Sequence, residues 1–192
     1  MNSLRALRLS NCGNLEFSFE VMQGYTGLRS LVFAKCGGLI SLFPILKCLT
    51  ALEVLYIWDC EKLDLTEGED NQEEFTMSLR VVGFGELPQL VALPQWIKQF
   101  ARTLHYMLIN YCPNLTVLQD WLPKLASLRI LAFTDCPKLA SLSEGKLCLQ
   151  SLRTFNIEDC PELSRRCQPE IGEDWHKIAH ASEIYIDGKK IK

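Results

Sequence analysis

Long apolar runs are missing from this chain. The most extended one, Leu39–Leu46, is broken by Ser41 and Pro44 and falls far short of the roughly 20 residues that cross a bilayer. Met1–Asn14 lacks the sustained apolar core of a signal peptide. An excess of positive charge is missing too. Lys and Arg number 20 against 23 Asp and Glu, a net charge of −3, so a phosphate backbone is not the expected partner. A phosphate-binding loop is missing: no G-x-x-x-x-G-K-[ST] occurs, and Gly83-Phe84-Gly85 is only a fragment of a glycine motif. With 48% apolar and 22% charged residues, the chain has enough apolar material to fold.

What the sequence does have is a phrase that recurs seven times, L-x-x-L-x-[LIF]-x-x-C, with Val82, Met107 and Phe155 at the fourth position of three copies and Leu87 at the ninth position of one. Copies start at Leu4, Leu28, Leu52, Leu79, Leu104, Leu128 and Leu152, in steps of 24, 24, 27, 25, 24 and 24 residues. That period and consensus are the leucine-rich-repeat signature. Alternation such as Leu128-x-x-Leu131-x-Phe133 predicts a short strand with one buried face. Strands one repeat apart should stack in parallel, and the rest of each repeat must supply the crossover. Pro44, Pro94 and Pro123 recur near the bends, which favours irregular or one-turn helical crossovers. The expected fold class is α/β repeat: a leucine-rich-repeat solenoid with a curved parallel sheet on the concave side and irregular or short helical crossovers on the convex side. The solenoid should span residues 1–163 and a helix–strand cap 164–192. In the cap, Ile171, Trp175 and Ile178 have helical spacing, and Glu183–Asp187 reads as a last strand closing at Gly188.

Of nine cysteines, Cys12, Cys36, Cys60, Cys112, Cys136 and Cys160 occupy the ninth repeat position, while Cys48, Cys148 and Cys167 fall elsewhere. Periodic placement, an odd total and no signal peptide predict reduced thiols in a cytoplasmic or nuclear protein. At the ninth position a small donor is expected to satisfy carbonyls at an inside corner, with cysteine doing so weakly and behaving mostly as a small hydrophobe. The fourth copy carries Leu87 there, so a local distortion is expected. Asp64–Ser78, holding Asp64, Glu67, Glu69, Asp70, Glu73 and Glu74, reads as a solvated acidic loop or a contact for a basic surface. The first copy enters without a polar cap, so the chain is expected to be a C-terminal piece or a truncated product, and to aggregate when expressed alone.

The variable strand positions should face away from the core. The second position gives Arg5, Arg29, Glu53, Arg80, His105, Arg129 and Arg153, a mostly basic stripe; the eighth gives Asn11, Lys35, Asp59, Glu86, Tyr111, Asp135 and Asp159, largely acidic. Between them lie Tyr56, Trp58, Tyr106 and Leu108. Exposed aromatics bracketed by charge have the composition of an interaction hot spot. Tyr56, Trp58, Arg80, His105, Tyr106, Leu108, Tyr111, Arg129 and Arg153 are therefore the candidate protein-binding residues.

Candidate chemistry is thin. Cys160, Cys167, His176 and His180 form C-x6-C-x8-H-x3-H, which mimics a zinc site, but the first interval is too long and Cys160 belongs to the inside corner. A Cys167–His176 nucleophilic pair lacks an oxyanion hole or an orienting third group. No catalytic, cofactor or metal residue is assigned, and the chain is not expected to be an enzyme.

Cys160-Pro161-Glu162-Leu163, Cys167, Glu170-Ile171-Gly172-Glu173-Asp174-Trp175, Lys177-Ile178-Ala179-His180 and Ile184-Tyr185-Ile186-Asp187-Gly188 resemble the closing segment of plant nucleotide-binding leucine-rich-repeat disease-resistance proteins of the coiled-coil class. The copies at Leu104, Leu128 and Leu152 are similar to that family's repeats, so the resemblance covers essentially the whole chain. It implies an intracellular immune receptor in which the repeats recognise pathogen effectors and restrain a nucleotide switch. Implied partners are an effector, a guarded host protein, or the receptor's own nucleotide-binding domain. An ADP or ATP site would lie in that domain, which this sequence lacks. Two alternatives are weighed. One is a leucine-rich-repeat substrate adaptor of a ubiquitin ligase, disfavoured by Cys112-Pro113 and Cys136-Pro137. The other is a zinc-dependent or thiol enzyme.

Overall fold

One five-residue strand forms in each of the seven repeats of the computed structural model, which describes residues 3–13, 22–66, 74–116, 118–142 and 149–192. The strands are β1 Ala6–Ser10, β2 Ser30–Ala34, β3 Val54–Trp58, β4 Val81–Gly85, β5 Tyr106–Asn110, β6 Ile130–Thr134 and β7 Thr154–Glu158. β8 (Glu183–Ile186) and a two-residue β9 (Lys189–Lys190) follow. All nine make one sheet in sequence order, parallel from β1 to β8, with β9 antiparallel. Much of the acidic segment (Glu67, Glu69, Asp70, Glu73) lies outside the described residues, as does Cys148.

Equivalent repeat positions pair throughout, as in Leu31↔Leu55 and Ile109↔Phe133. From β2 to β7 the fourth and sixth positions are essentially sealed from solvent: Leu31, Phe33, Leu55, Ile57, Val82, Phe84, Met107, Ile109, Leu131, Phe133, Phe155 and Ile157. This is the period-two consequence of a sheet with one buried face. The longer step from Leu52 to Leu79 does not shift the register (Leu55↔Val82). Among the described residues of this crossover, Phe75 packs on Phe43, Trp96 and Phe100 with ring centroids 5.3, 6.0 and 5.9 Å apart. Two hydrogen bonds hold the cluster: the Phe75 N–H donates to Gln99 Oε1 and Trp96 Nε1–H to the Leu65 carbonyl, each at 2.9 Å.

Crossovers are short. They contain the helix α1 (Phe43–Cys48) and single 3-10 turns at Gln23–Tyr25, Gln95–Phe100 and Leu122–Lys124. Pro44 sits in the first turn of α1, Pro94 immediately precedes the second 3-10 turn and Pro123 lies within the third. These are the places where a missing N–H leaves no bond unmade. No helix among the described residues is long and apolar enough to cross a membrane.

At the inside corner the cysteines from Cys36 to Cys160 are small buried hydrophobes with weak thiol bonds, as expected, but the main donor to the carbonyls is a backbone N–H. In the first six repeats the eighth residue donates its N–H to the seventh-position carbonyl of the next repeat: Asn11 to Ala34, Lys35 to Trp58, Asp59 to Gly85, Glu86 to Asn110, Tyr111 to Thr134 and Asp135 to Glu158, all at 2.8–3.1 Å. The ninth-position thiols add a second, weak bond to carbonyls already paired this way, as Cys36 does at 3.5 Å to Ala34 and Cys160 at 3.3 Å to Glu158. Cysteine is therefore chiefly a small buried hydrophobe here. That explains why Leu87 causes no break: it is 1% exposed, β4 stays in register, and the Gly85 carbonyl still receives the Asp59 N–H.

Every eighth residue adopts positive φ, from 50 to 59°, and Asp187 repeats this at 48°. Asn and Asp tolerate this region best, and Asn11, Asp59, Asp135 and Asp159 fit. Lys35, Glu86 and Tyr111 do not. Glu86→Gly should raise the unfolding free energy by about 1 kcal/mol. The urea midpoint should move up at unchanged slope; no upward movement would show that the turn stores no strain.

The cap begins with α2 (Pro161–Arg166) and continues in a single turn, α3 (Trp175–Ile178). Ile171, expected on a buried helical face, is instead 86% exposed. Gly172 brings the chain so close to α2 that a Cβ there would lie 2.2 Å from the Arg166 carbonyl oxygen, which ends any continuous helix before Trp175. Asp174 was not singled out by the sequence reading, yet it is fully buried. Its carboxylate accepts from Lys177 Nζ at 2.7 Å, Arg166 Nε at 3.0 Å and the Leu142 N–H at 3.0 Å. Lys177 Nζ also donates to the Leu142 carbonyl at 3.0 Å. The cap is thus fastened to the crossover between β6 and β7.

Candidate functional site

The strands span the third to seventh repeat positions, so the open face of the sheet carries the third, fifth and seventh columns. The second and eighth columns, expected as a basic stripe along one edge and an acidic stripe along the other, flank the strands, one at each strand end; the eighth residue has already left extended geometry. The third column (Ser30, Val54, Val81, Tyr106, Ile130, Thr154) belongs to the face and was underweighted; its signal was the period of two counted outward from the buried fourth position.

Two glycines shape the centre. Gly83 pairs with Tyr56 and Gly85 with Trp58. A Cβ on Gly83 would lie 2.2 Å from Tyr56 Cδ1, and one on Gly85 2.2 Å from Trp58 Cε3. Both rings therefore lie down over β4, and both side chains are half-buried rather than standing free. Glycine here substitutes a groove for a side chain, and the neighbouring aromatic covers the bare backbone. Tyr111, 48% exposed, closes from the far side with its ring edge-on to Trp58 at 6.1 Å. Asp135 beside it pushes the Tyr111 phenol up, by its charge first and then by accepting a hydrogen bond. Leu108 pairs with Gly83 on the other flank and is half-buried.

The other candidates spread out. Tyr106 is 41% exposed, with its ring 6.4 Å from that of His105. His105 Nδ1 sits 2.5 Å from the Thr103 carbonyl. Arg80, Arg129 and Arg153 are exposed at the strand entrances, away from the aromatic group. The sheet is thus polar across its width. Arginines mark the edge where strands begin, and Asp59, Glu86, Asp135 and Asp159 mark the edge where they end.

Depressions among the described residues border the face. One, about 600 Å³, crosses β1 to β3 and is lined by Arg8, Val32, Ala34, Lys35, Tyr56 and Trp58 together with Ser10, Asn11 and Ile57. A second, about 540 Å³, lies at the acidic edge around Asp59, Glu61, Glu86 and Tyr111. A third, about 390 Å³, lies at the basic edge around Arg129, Arg153 and His180.

Among the described residues no group of three or more His, Cys, Asp or Glu side chains converges as a metal site would require. His180 Nε2 faces the Leu149 carbonyl at 2.6 Å and the Cys160 thiol donates to Glu158. The eight described cysteines are free thiols. Burial pushes the Cys60 thiol up to about 11. The hydrogen bond with Cys112, followed by burial, pushes Cys136 up to about 12. Burial, reinforced by the Asp174 charge, raises Cys167. The thiolate is the reactive form and the reagent must reach it; Cys12 is the one described cysteine that is not buried, so under native conditions it should label first among the described thiols, although its own thiol is also raised. Cys60, Cys136 and Cys167 should label roughly a hundredfold or more slowly, on opening of the fold. Mass spectrometry after brief alkylation checks this; rapid native labelling of Cys167 would revive the thiol-enzyme alternative.

No protein-family model matches the chain, and no curated protein matches it significantly.

Proposed function

We propose that the chain is a leucine-rich-repeat solenoid serving as the protein-interaction module of a plant intracellular immune receptor of the coiled-coil class. It contributes to effector recognition and to restraint of a nucleotide-binding domain, in the cytoplasm or nucleus. The binding role rests chiefly on one observation: Tyr56, Trp58 and Tyr111 gather over Gly83 and Gly85 on an open sheet face between a basic and an acidic edge. Rigid aromatic area with a charged rim is what protein interfaces are built from. One strand per repeat, in unbroken register, supports the solenoid reading. The receptor assignment is supported by the tail resemblance, and any ADP or ATP would belong to the nucleotide-binding domain.

The coding sequence upstream of Met1 tests the assignment. An in-frame phosphate-binding-loop domain is the expected finding; a ubiquitin-ligase docking segment there would transfer the proposal to the adaptor alternative. With that domain as titrant, Trp58→Ala should weaken binding by about 2 kcal/mol, the scale of a hot-spot residue. Calorimetry showing unchanged affinity for both Trp58→Ala and Tyr111→Ala would remove this face from the contact.

A further inference from the structure

The depression across β1 to β3 differs from the rest of the face in its charge. Its lining includes two cations, Arg8 and Lys35, and no carboxylate, in a chain whose net charge is −3. Arg8 Nε donates to Ser10 Oγ at 3.2 Å, which steadies the guanidinium over β1. Among the described residues neither Arg8 nor Lys35 has an ion-pair partner. By contrast, Arg29 is neutralised by Glu53 at 3.1 Å on the entrance edge. The floor is low, because Val32 and Ala34 are the open-face residues of β2 between Arg8 and Ser10 on one side and Tyr56 and Trp58 on the other. The far wall is stiff, since the two aromatic side chains are laid over Gly83 and Gly85.

We infer that this depression receives an acidic residue of a protein partner together with an adjacent apolar or aromatic residue. The carboxylate is taken by Arg8 and Lys35, and the apolar neighbour lies on Val32 and Ala34 against Tyr56 and Trp58. An Arg pairs with a carboxylate through a planar fork, and Lys adds a point charge. The two strand spacings from β1 to β3, ~10 Å in all, suit two consecutive contacts of a polypeptide. Asp59, Glu61 and Glu86 stand immediately beyond Lys35 along the exit edge. They repel a ligand carrying many negative charges, so the site favours a single carboxylate over a polyanion such as nucleic acid. This inference rests on the binding-face proposal above and adds the chemistry of the partner.

Short random peptides displayed on phage, panned on the full-length chain, provide the test. The recovered peptides should be enriched in Asp or Glu next to an aromatic or aliphatic residue. As synthetic peptides they should lose about tenfold or more in affinity for Arg8→Glu and Lys35→Glu, but not for Lys98→Glu or Lys124→Glu on the crossovers. All four sites are exposed, so melting curves should be unchanged. A peptide with its acidic residue changed to Lys should recover affinity for Lys35→Glu. Peptides that depend on Trp58 but show no acidic preference, or no dependence on Arg8 and Lys35, overturn the inference and leave the binding face standing. Peptides insensitive to Trp58, Tyr111, Arg8 and Lys35 alike overturn both.

Discussion

Asp174→Ala is expected to lower the unfolding free energy by about 3–5 kcal/mol, because it strands buried Lys177 without its counter-charge. The Lys177 side chain is 8% exposed and that of Arg166 24%, so neither can turn fully to water for compensation. The Leu142 N–H would lose its acceptor as well. Lys177→Met, which keeps the stem and leaves Arg166 against the carboxylate, should cost less. Acid should act on the same fastening. Burial alone would raise the Asp174 pKa, but hydrogen bonds from Arg166, Lys177 and the Leu142 N–H outweigh it and hold the carboxyl below the ordinary Asp value. A depressed folded-state pKa contributes stability that is complete above the unfolded value, about 4, and is lost as pH falls through the folded one. Urea denaturation of wild type and variant at pH 7 and below pH 4 checks both statements. The gap between them should shrink in acid, and a gap below 1 kcal/mol at neutral pH would mean that the network does not hold the cap.

Phe133→Ala should cost a further ~3–5 kcal/mol, the usual range for emptying an aromatic site in a core. Phe133 is wholly buried and lies between Ile109 and Ile157, so nothing nearby can collapse into the void without moving a strand. Leu9→Ala on β1 should cost distinctly less, since Leu9 is only partly buried. In a stack where each unit touches only its neighbours, a weak unit in the middle divides the cooperative whole. Calorimetry of Phe133→Ala should therefore show a broadened or split transition. A single sharp transition shifted no further than that of Leu9→Ala would contradict this.

The strands, their order and their buried columns were legible because alternation repeats seven times and each copy corroborates the next. The turn at the eighth position was not legible. Asp59, Asp135 and Asp159 hint at positive φ, but Lys35, Glu86 and Tyr111 hide it. The cysteine corner was legible as a small, mostly apolar site; that a backbone N–H from the preceding repeat is the main donor to its carbonyls is something composition cannot show. Tyr56, Trp58 and Tyr111 were found as aromatics. That Gly83 and Gly85 make their bed is a matter of cross-strand register, visible only once β3 and β4 are aligned. Asp174 escaped notice because its partners Leu142 and Arg166 come from other parts of the chain, and a lone Asp beside Trp175 carries no such message.

The repeat that runs from Leu52 to Leu79 is longer than its neighbours, yet the strands before and after it meet position for position. The added length therefore falls between strands and leaves their register unchanged. The front behaves as a ruler with graduations ~4.8 Å apart, on which substitution at any one mark edits a single contact and leaves the remaining marks in place. Under the proposed binding role, such a surface changes its contacts one at a time while the register of its scaffold stays as it is.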